Sequence, residues 1–331
     1  MRLTRQILIL SFIVFIAACL RFYKLASLPP SLEWDEVATG YDAYSILKTG
    51  KDQYGHIMPL TFRSLDDYKP PLYTYLTSAS IAILGWNDFA VRFPAALFGV
   101  LAIVSTYGMV LSLFKKSSLA VLSSFFLAVS PWHVNFSRLA LETNTTIFFT
   151  TAALWAFILG LKNGKLLIIS ALLFGLDLYL YHNARVFVPL LGVGLLLLYA
   201  KELWQQKKYT IIAGFIVGLF VIRLVPIATS IEGKMRFEGT SIFTKAESLD
   251  TYAQKQQYKD WQKDDQSIGQ RFVGKFFHNE KVFYLLRIYK NYISHFDLTF
   301  LLFTSDTPRH HVKELGLLYL VDLPFVYLGA Y

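Results

Sequence analysis

The chain holds a single cysteine, Cys19, in 331 residues. That excludes an internal disulfide and a cysteine-built metal cluster. No tandem repeat and no low-complexity tail is present, so solenoids and disordered arrays are excluded as well. Long apolar runs, in contrast, are abundant. Hydrophobic residues make up 54% and aromatic residues 16% of the chain, with a mean hydropathy of +0.42. Runs of this length read as membrane spans rather than core helices. The net charge is +9. In a membrane chain that excess belongs to cytoplasmic loops and contact with anionic lipid, so nucleic acid is not expected as a partner.

The first run, Ile7 to Leu20, follows Arg2 and Arg5. It reads as an uncleaved first span with its far end outside. The competing reading is a signal peptide in which "IAAC", ending at Cys19, resembles a lipoprotein cleavage site. Seven more runs follow: Val91–Phe114, Leu119–Trp132, Thr145–Leu161, Leu166–Leu180, Val186–Ala200, Ile211–Ile227 and Leu315–Tyr331. Basic links at Lys115-Lys116, at Lys162 and Lys165, and at Lys201, Lys207 and Lys208 mark the cytoplasmic turns. The expectation is an all-α polytopic membrane protein of about eight spans.

The run "PPLYTYLTSASIAILG" at 70–85 would reverse every later loop if it were counted. It is also short for a crossing, so it is expected to lie at the outer interface. Three regions follow from this division: a membrane module over 1–230 with an external loop at 23–90, a polar external region over 231–314, and the start of a further span over 315–331. That last run stops without a basic flank, which suggests a fragment of a longer protein. In the polar region Leu285, Ile288, Tyr289, Tyr292, Ile293 and Phe296 share one helical face, and Arg287, Lys290 and Asn291 share the other. This suits a helix resting on the membrane or packing on the external loop.

Charged residues gather at the outer ends of the spans. Asp35 and Glu36 follow the first span, Asp66, Asp67 and Lys69 precede the interfacial run, and Arg138 and Glu142 follow the third span. Asp177, His182 and Arg185 close the fifth, Arg223 sits near the outer end of the seventh, and Asp306, Arg309, His310 and His311 precede the last. Acids and bases converging at that depth suit a phosphorylated lipid. Arginine and lysine can hold phosphate, and a carboxylate can take a proton from an acceptor hydroxyl. Any one of these acids could instead be a solvated interface residue. Glu36 reads first as a ligand of backbone amides at a helix start. Asp177, an acid inside an apolar run, needs a partner, for which His182 or Arg185 is a candidate. His310 and His311 point apart on a helix and make a poor metal pair.

Four stretches in order, "LEWDE" (32–36), "DDYKPPLYTYL" (66–76), "FAVRFPAALFGVLAIVSTYGMV" (89–110) and "SPWHVNFSRLALETN" (130–144), resemble the GT-C class of membrane glycosyltransferases. Their nearest likeness is to the bacterial protein-mannosyltransferase and lipid A aminoarabinose-transferase relatives. "SDTPRHH" (305–311) fits more loosely. The resemblance implies an inverting transferase that takes a monosaccharide from a polyprenyl-phosphate donor to a lipid, glycan or protein acceptor. It implies transfer at the external face of a cell membrane, a bacterial plasma membrane by the nearest relatives. By the same resemblance Asp35 is the catalytic acid and Glu142 the second acidic position. Lys69 is the basic residue near the donor phosphate, and Arg138, Arg185 and Arg309 are further phosphate ligands. Glu36, Asp67, Asp177, His182, Asp306 and His310 are supporting candidates. Tyr68 departs from the pattern, since relatives carry an acid or His there. Asp67 one residue earlier can substitute, which leaves a divalent metal ion possible and its ligands unassigned. Two rival readings remain at this point: a transporter or flippase, whose polar residues would lie nearer the midplane, and a non-catalytic paralogue that binds a lipid-linked sugar.

Overall fold

A computed structural model describes residues 2–64, 67–230, 249–267, 276–278, 280–304 and 316–330. Asp66, Asp306, Arg309, His310 and His311 therefore lie outside the described residues. The chain divides into two compact units, Met1–Ala228 and Thr229–Tyr331.

The first unit is helical apart from one small hairpin. Helix α1 (Arg2–Phe22) leads to α2 (Trp34–Thr49), strands β1 (Phe62–Ser64) and β2 (Asp67–Lys69), then α3 (Leu72–Leu84) and α4 (Asp88–Phe114). There follow α5 (Ser117–Val129), α6 (Pro131–Phe136), α7 (Glu142–Gly160), α8 (Lys165–Asp177), α9 (Ala184–Leu198), α10 (Ala200–Gln205) and α11 (Lys207–Thr229). Among the described residues, four helices are long and apolar enough to cross a membrane: Thr4–Phe22, Asp88–Phe114, Glu142–Gly160 and Lys207–Ile227. The protein is a multi-pass membrane protein. Helix α3 has 13 residues, about 20 Å of rise against a hydrocarbon core of about 30 Å. It packs on α2 and α4.

Chain chemistry sets the helix ends. Helix α2 opens on a capping box, in which the Glu33 side chain accepts from Asp35 N and the Glu36 side chain accepts from Glu33 N. It closes on Gly50 with φ +70°, a left-handed position that glycine takes at little cost. Helix α4 opens on Asn87, whose side chain accepts from Ala90 N. The α4–α7 seam is tight at Gly108, where an added Cβ would run into the Trp155 ring. Gly108→Ala is therefore expected to lower stability by about 1–3 kcal/mol, read as an earlier thermal unfolding transition in detergent.

Two buried arginines lock neighbouring helix ends together. Arg21 spends its donors on the carbonyls of Ala17, Leu127 and Ala128, on Ser137 Oγ and on His133 Nδ1. Two of those carbonyls end α5, the negative pole of that helix. Arg92, at the start of α4, is fully buried. It meets Glu36 through Nε and Nη2 at 2.9 and 3.0 Å, and it donates to the carbonyls of Leu25, Pro29 and Ser31.

In the second unit α12 (Leu249–Ser267) packs on α13 (Glu280–Ser294) through Tyr258 and Phe283. Leu285, Ile288, Tyr289, Tyr292 and Ile293 of α13 stay exposed, as does Phe296 just past its end. A short π-helical turn (Phe300–Thr304) and the terminal helix α14 (Leu323–Ala330) complete the described part.

Candidate functional site

The site forms where three unconnected segments meet. Helix α2 delivers Asp35 from its first turn, because the Glu33 cap starts the helix immediately after "LE". The hairpin delivers Lys69 from β2 and Ser64 from β1, in an antiparallel register that pairs Phe62 with Lys69 and Ser64 with Asp67. Helix α7 delivers Glu142 at its first residue. Lys69 Nζ lies 3.0 Å from Asp35 Oδ1 and 3.9 Å from Glu142 Oε2. Ser64 Oγ donates to the same Asp35 oxygen at 3.4 Å. The Asp35 side chain is 20% exposed and that of Glu142 is 10% exposed, so both acids line a recess with restricted water.

Charge explains how the lysine survives there. Burial alone would push its ammonium pKa down, but the Glu142 and Asp35 carboxylates outweigh that and hold it above the ordinary lysine value of 10.5. Asp67, on the same strand, adds to the pull. Lys69 is thus a fixed cation across the physiological range.

Glu36 and Arg92 hold this arrangement from behind. Besides Arg92, Glu36 Oε1 accepts from Ala140 N at 2.8 Å and Oε2 from Glu33 N at 3.0 Å. One carboxylate therefore ties the residue next to Asp35 to the segment just before Glu142. Its lone pairs are committed to this frame, in keeping with the helix-start reading. Arg92 itself was not singled out from the sequence. Its only signal is a charge at the head of an apolar run, in "VRFP".

Other residues take places the sequence did not suggest. Arg138, expected as a phosphate ligand, turns its two terminal nitrogens to backbone, donating to the carbonyls of Leu20, Arg21, Tyr23 and Leu28 at 2.7–3.2 Å. It caps the C-terminal end of α1, whose last carbonyls favour a cation. Asp177 does not pair with His182 or Arg185. Its Oδ2 accepts from Thr150 Oγ1 of α7 at 2.5 Å, because the end of α8 faces α7. His182 turns the other way and donates from Nε2 to Tyr68 O at 2.7 Å, one residue before Lys69. Arg185 Nη1 donates to the other ring nitrogen at 3.3 Å, which fixes the neutral tautomer.

The possible divalent ion has a poor match in these side chains. Among the described residues no three His, Cys, Asp or Glu side chains are grouped to hold a metal. The two carboxylates that converge already share an ammonium. This donor set does not fit a resident divalent ion.

Comparison with known proteins gives a consistent result. Residues 68–226 match the family model described as dolichyl-phosphate-mannose-protein mannosyltransferase. Among solved structures, the chain is similar to the S. cerevisiae protein O-mannosyltransferase Pmt1-Pmt2 complex bound to the sugar donor, at 19% identity and a TM-score of 0.50, covering 72% of this chain and 34% of that one. It is also similar to the Archaeoglobus fulgidus oligosaccharyltransferase in the apo form, at 14% identity and a TM-score of 0.55, covering 98% and 45%. A third likeness is to the archaeal oligosaccharyltransferase AglB from Archaeoglobus fulgidus in complex with an inhibitory peptide and a dolichol-phosphate, at 14% identity and a TM-score of 0.54, covering 98% and 44%. The chain thus spans less than half the length of these structures. No curated protein sequence matches it. Likeness at these identities is likeness of fold, and the resemblance to the GT-C class read from the motifs is borne out.

Proposed function

From a chain with the fold of the GT-C membrane glycosyltransferases, we propose that it transfers a monosaccharide from a polyprenyl-phosphate donor to a hydroxyl acceptor, with inversion, at the face of the membrane where Asp35, Lys69 and Glu142 converge. By the charge distribution of the chain that is the external face, with the lysine-rich links on the other side. The observation that carries the reading is the single ammonium held 3.0 Å from one carboxylate and 3.9 Å from another in a partly buried recess.

Each group has a task that its chemistry suits. As the acceptor oxygen attacks the anomeric carbon, Asp35 takes its proton. The bond from that carbon to the phosphate oxygen breaks, and the electron pair leaves with the polyprenyl phosphate. Lys69 carries three N–H donors, so it can keep Asp35 and still face a phosphate oxygen as charge develops there. Glu142 holds the ammonium from the other side and can accept from a sugar hydroxyl. This assignment differs from the paired-carboxylate retaining hydrolases, in which the second acid attacks the sugar. A transporter reading gains nothing from this geometry, because the converging charges sit at helix ends and not at a midplane break in repeated halves.

The test is release of polyprenyl phosphate by the purified protein from a panel of polyprenyl-phosphate sugars, with membrane extract as the source of acceptor. Acceptor-dependent release from one donor is expected, and it would name the sugar. Tight donor binding without release from any donor would replace the enzyme with a binding protein. Neither binding nor release would favour the transporter instead.

A further inference from the structure

We infer that the apolar cavity between α8, α9 and α11 seats an acyl chain of an anionic phospholipid, whose headgroup is held by the lysines at the same end of these helices. The shape of the cavity, the chemistry of its wall and the charge beside it all point to that ligand.

Helix α11 leans on α8 at two points. The Phe220 ring fills the space beside Gly175, where an added Cβ would run into it, and the Tyr209 ring does the same beside Gly164. Tyr179 fixes the first point by donating its hydroxyl to Phe220 O at 2.9 Å. The two points are eleven residues apart on α11, about 16 Å along its axis. Between them the helices leave a cavity of about 220 Å³. Gly192 of α9 and Gly214 of α11 line it, and a Cβ added to either would meet no atom within 4 Å. Leu196 also lines it and is itself exposed, so the cavity opens toward the lipid around the helices.

The wall suits hydrocarbon. Phe157 of α7, Leu167 and Phe174 of α8, Leu195 of α9, Leu203 of α10 and Val217 of α11 form most of it. Its two side-chain hydroxyls are already committed: Ser170 donates to Ala153 O at 2.8 Å, and Thr210 donates to Leu203 O at 2.9 Å. Neither has a proton left to offer a polar ligand. An apolar cavity of even roughly 150 Å³ stays dry and takes apolar ligands. This one is also remote from the candidate site, since Phe157 lies fifteen residues beyond Glu142 on α7, about 22 Å along the axis.

Charge selects the headgroup. Lys165 stands two residues before Leu167, Lys201 two before Leu203 and Lys207 three before Thr210, so three exposed lysines lie within about one turn of the lining. Lys162 and Lys208 extend the group, and Glu202 is the one acid in these two links. Basic clusters of this kind beside membrane spans recognise anionic headgroups, and lysine reaches a phosphate along its own apolar stem. An acyl chain in the cavity and a phosphate among the lysines satisfy both features with one molecule. Neither feature involves Asp35, Lys69 or Glu142, so the lipid would sit here whatever the chain transfers.

The experiment is native mass spectrometry of the full chain released from detergent. The probes are phosphatidylglycerol, phosphatidylcholine and diacylglycerol with the same acyl chains, and undecaprenyl phosphate. Wild type should retain phosphatidylglycerol about tenfold better than phosphatidylcholine or diacylglycerol. Replacing Lys165, Lys201 and Lys207 together by glutamine should remove that preference. Gly192→Leu and Gly214→Leu fill the cavity from two different helices, and each should weaken retention of phosphatidylglycerol about tenfold. Gly218→Leu adds the same side chain to α11 outside the lining and should retain it as wild type does. Undiminished retention in a cavity-filling variant whose thermal transition matches wild type would overturn the inference and leave the proposed function untouched. If neither filling variant folds, the lysine variant decides, and an unchanged preference there would overturn the inference. Equal retention of diacylglycerol by wild type would overturn it as well. So would undecaprenyl phosphate held in place of phosphatidylglycerol and lost in Gly214→Leu, which would give the cavity to an isoprenoid chain.

Discussion

Alanine at position 92 is expected to cost about 3–5 kcal/mol of stability, because it removes one half of a buried ion pair and leaves the other half in place. Glu36 would keep only two backbone donors, from Glu33 and Ala140. The carbonyls of Leu25, Pro29 and Ser31 would lose their donor in the same step. Those three carbonyls hold the segment that leads from α1 into α2. The damage should therefore reach the site, since Glu36 neighbours Asp35 and its Ala140 contact precedes Glu142. In detergent the thermal transition should fall by roughly 10 °C or more. Arg92→Lys should recover little of this, because an ammonium cannot reproduce a fork that serves one carboxylate and three carbonyls at once. A transition for Arg92→Ala within about 2 °C of wild type would show that this network is not what holds these helix ends together.

The apolar helices were legible in the sequence because a span announces itself by length and composition within one window. Asp35, Lys69 and Glu142 were legible as separate candidates through motif order, and the short α3 through its length. Three features were not. The hairpin that carries Ser64 and Lys69 has strands of three residues each, too short to show an alternating pattern. The contact of Glu36 with Arg92 joins residues 56 apart, and nothing local in "WDEV" or "VRFP" specifies it. The carbonyl contacts of Arg138 were hidden for a related reason: an arginine at a helix end suits a phosphate and a row of free carbonyls equally well, and only the fold brings the carbonyls of Leu20 to Leu28 to it. The same ambiguity misdirected the search for the partner of Asp177. Sequence spacing favoured His182 and Arg185, whereas the packing of α8 on α7 supplies Thr150.

Asparagine at position 35 is expected to lower the transfer rate by about 10²–10⁴-fold, the range in which a positioned general base contributes. It should do so with little loss of stability. Lys69 would still face Glu142, and the Ser64 hydroxyl could still donate to the amide oxygen. The effect should fall on kcat, because the proton moves only as the bond forms, while donor affinity depends on the cation. Lys69→Met should behave differently, weakening donor binding and removing stabilisation of the leaving phosphate together. The alkaline side of the wild-type pH profile separates the two roles. The pKa of Lys69 is raised by its carboxylate neighbours, so its charge, and the stability that charge contributes, are fully present below the ordinary lysine value of 10.5. Both are lost only as the pH rises through the higher folded value. Transfer should therefore show no decline from Lys69 up to about pH 10. Asp35→Asn enzyme that kept more than about a tenth of the wild-type kcat would remove Asp35 as the base. Glu142, the second carboxylate beside Lys69, would then be the group to replace next.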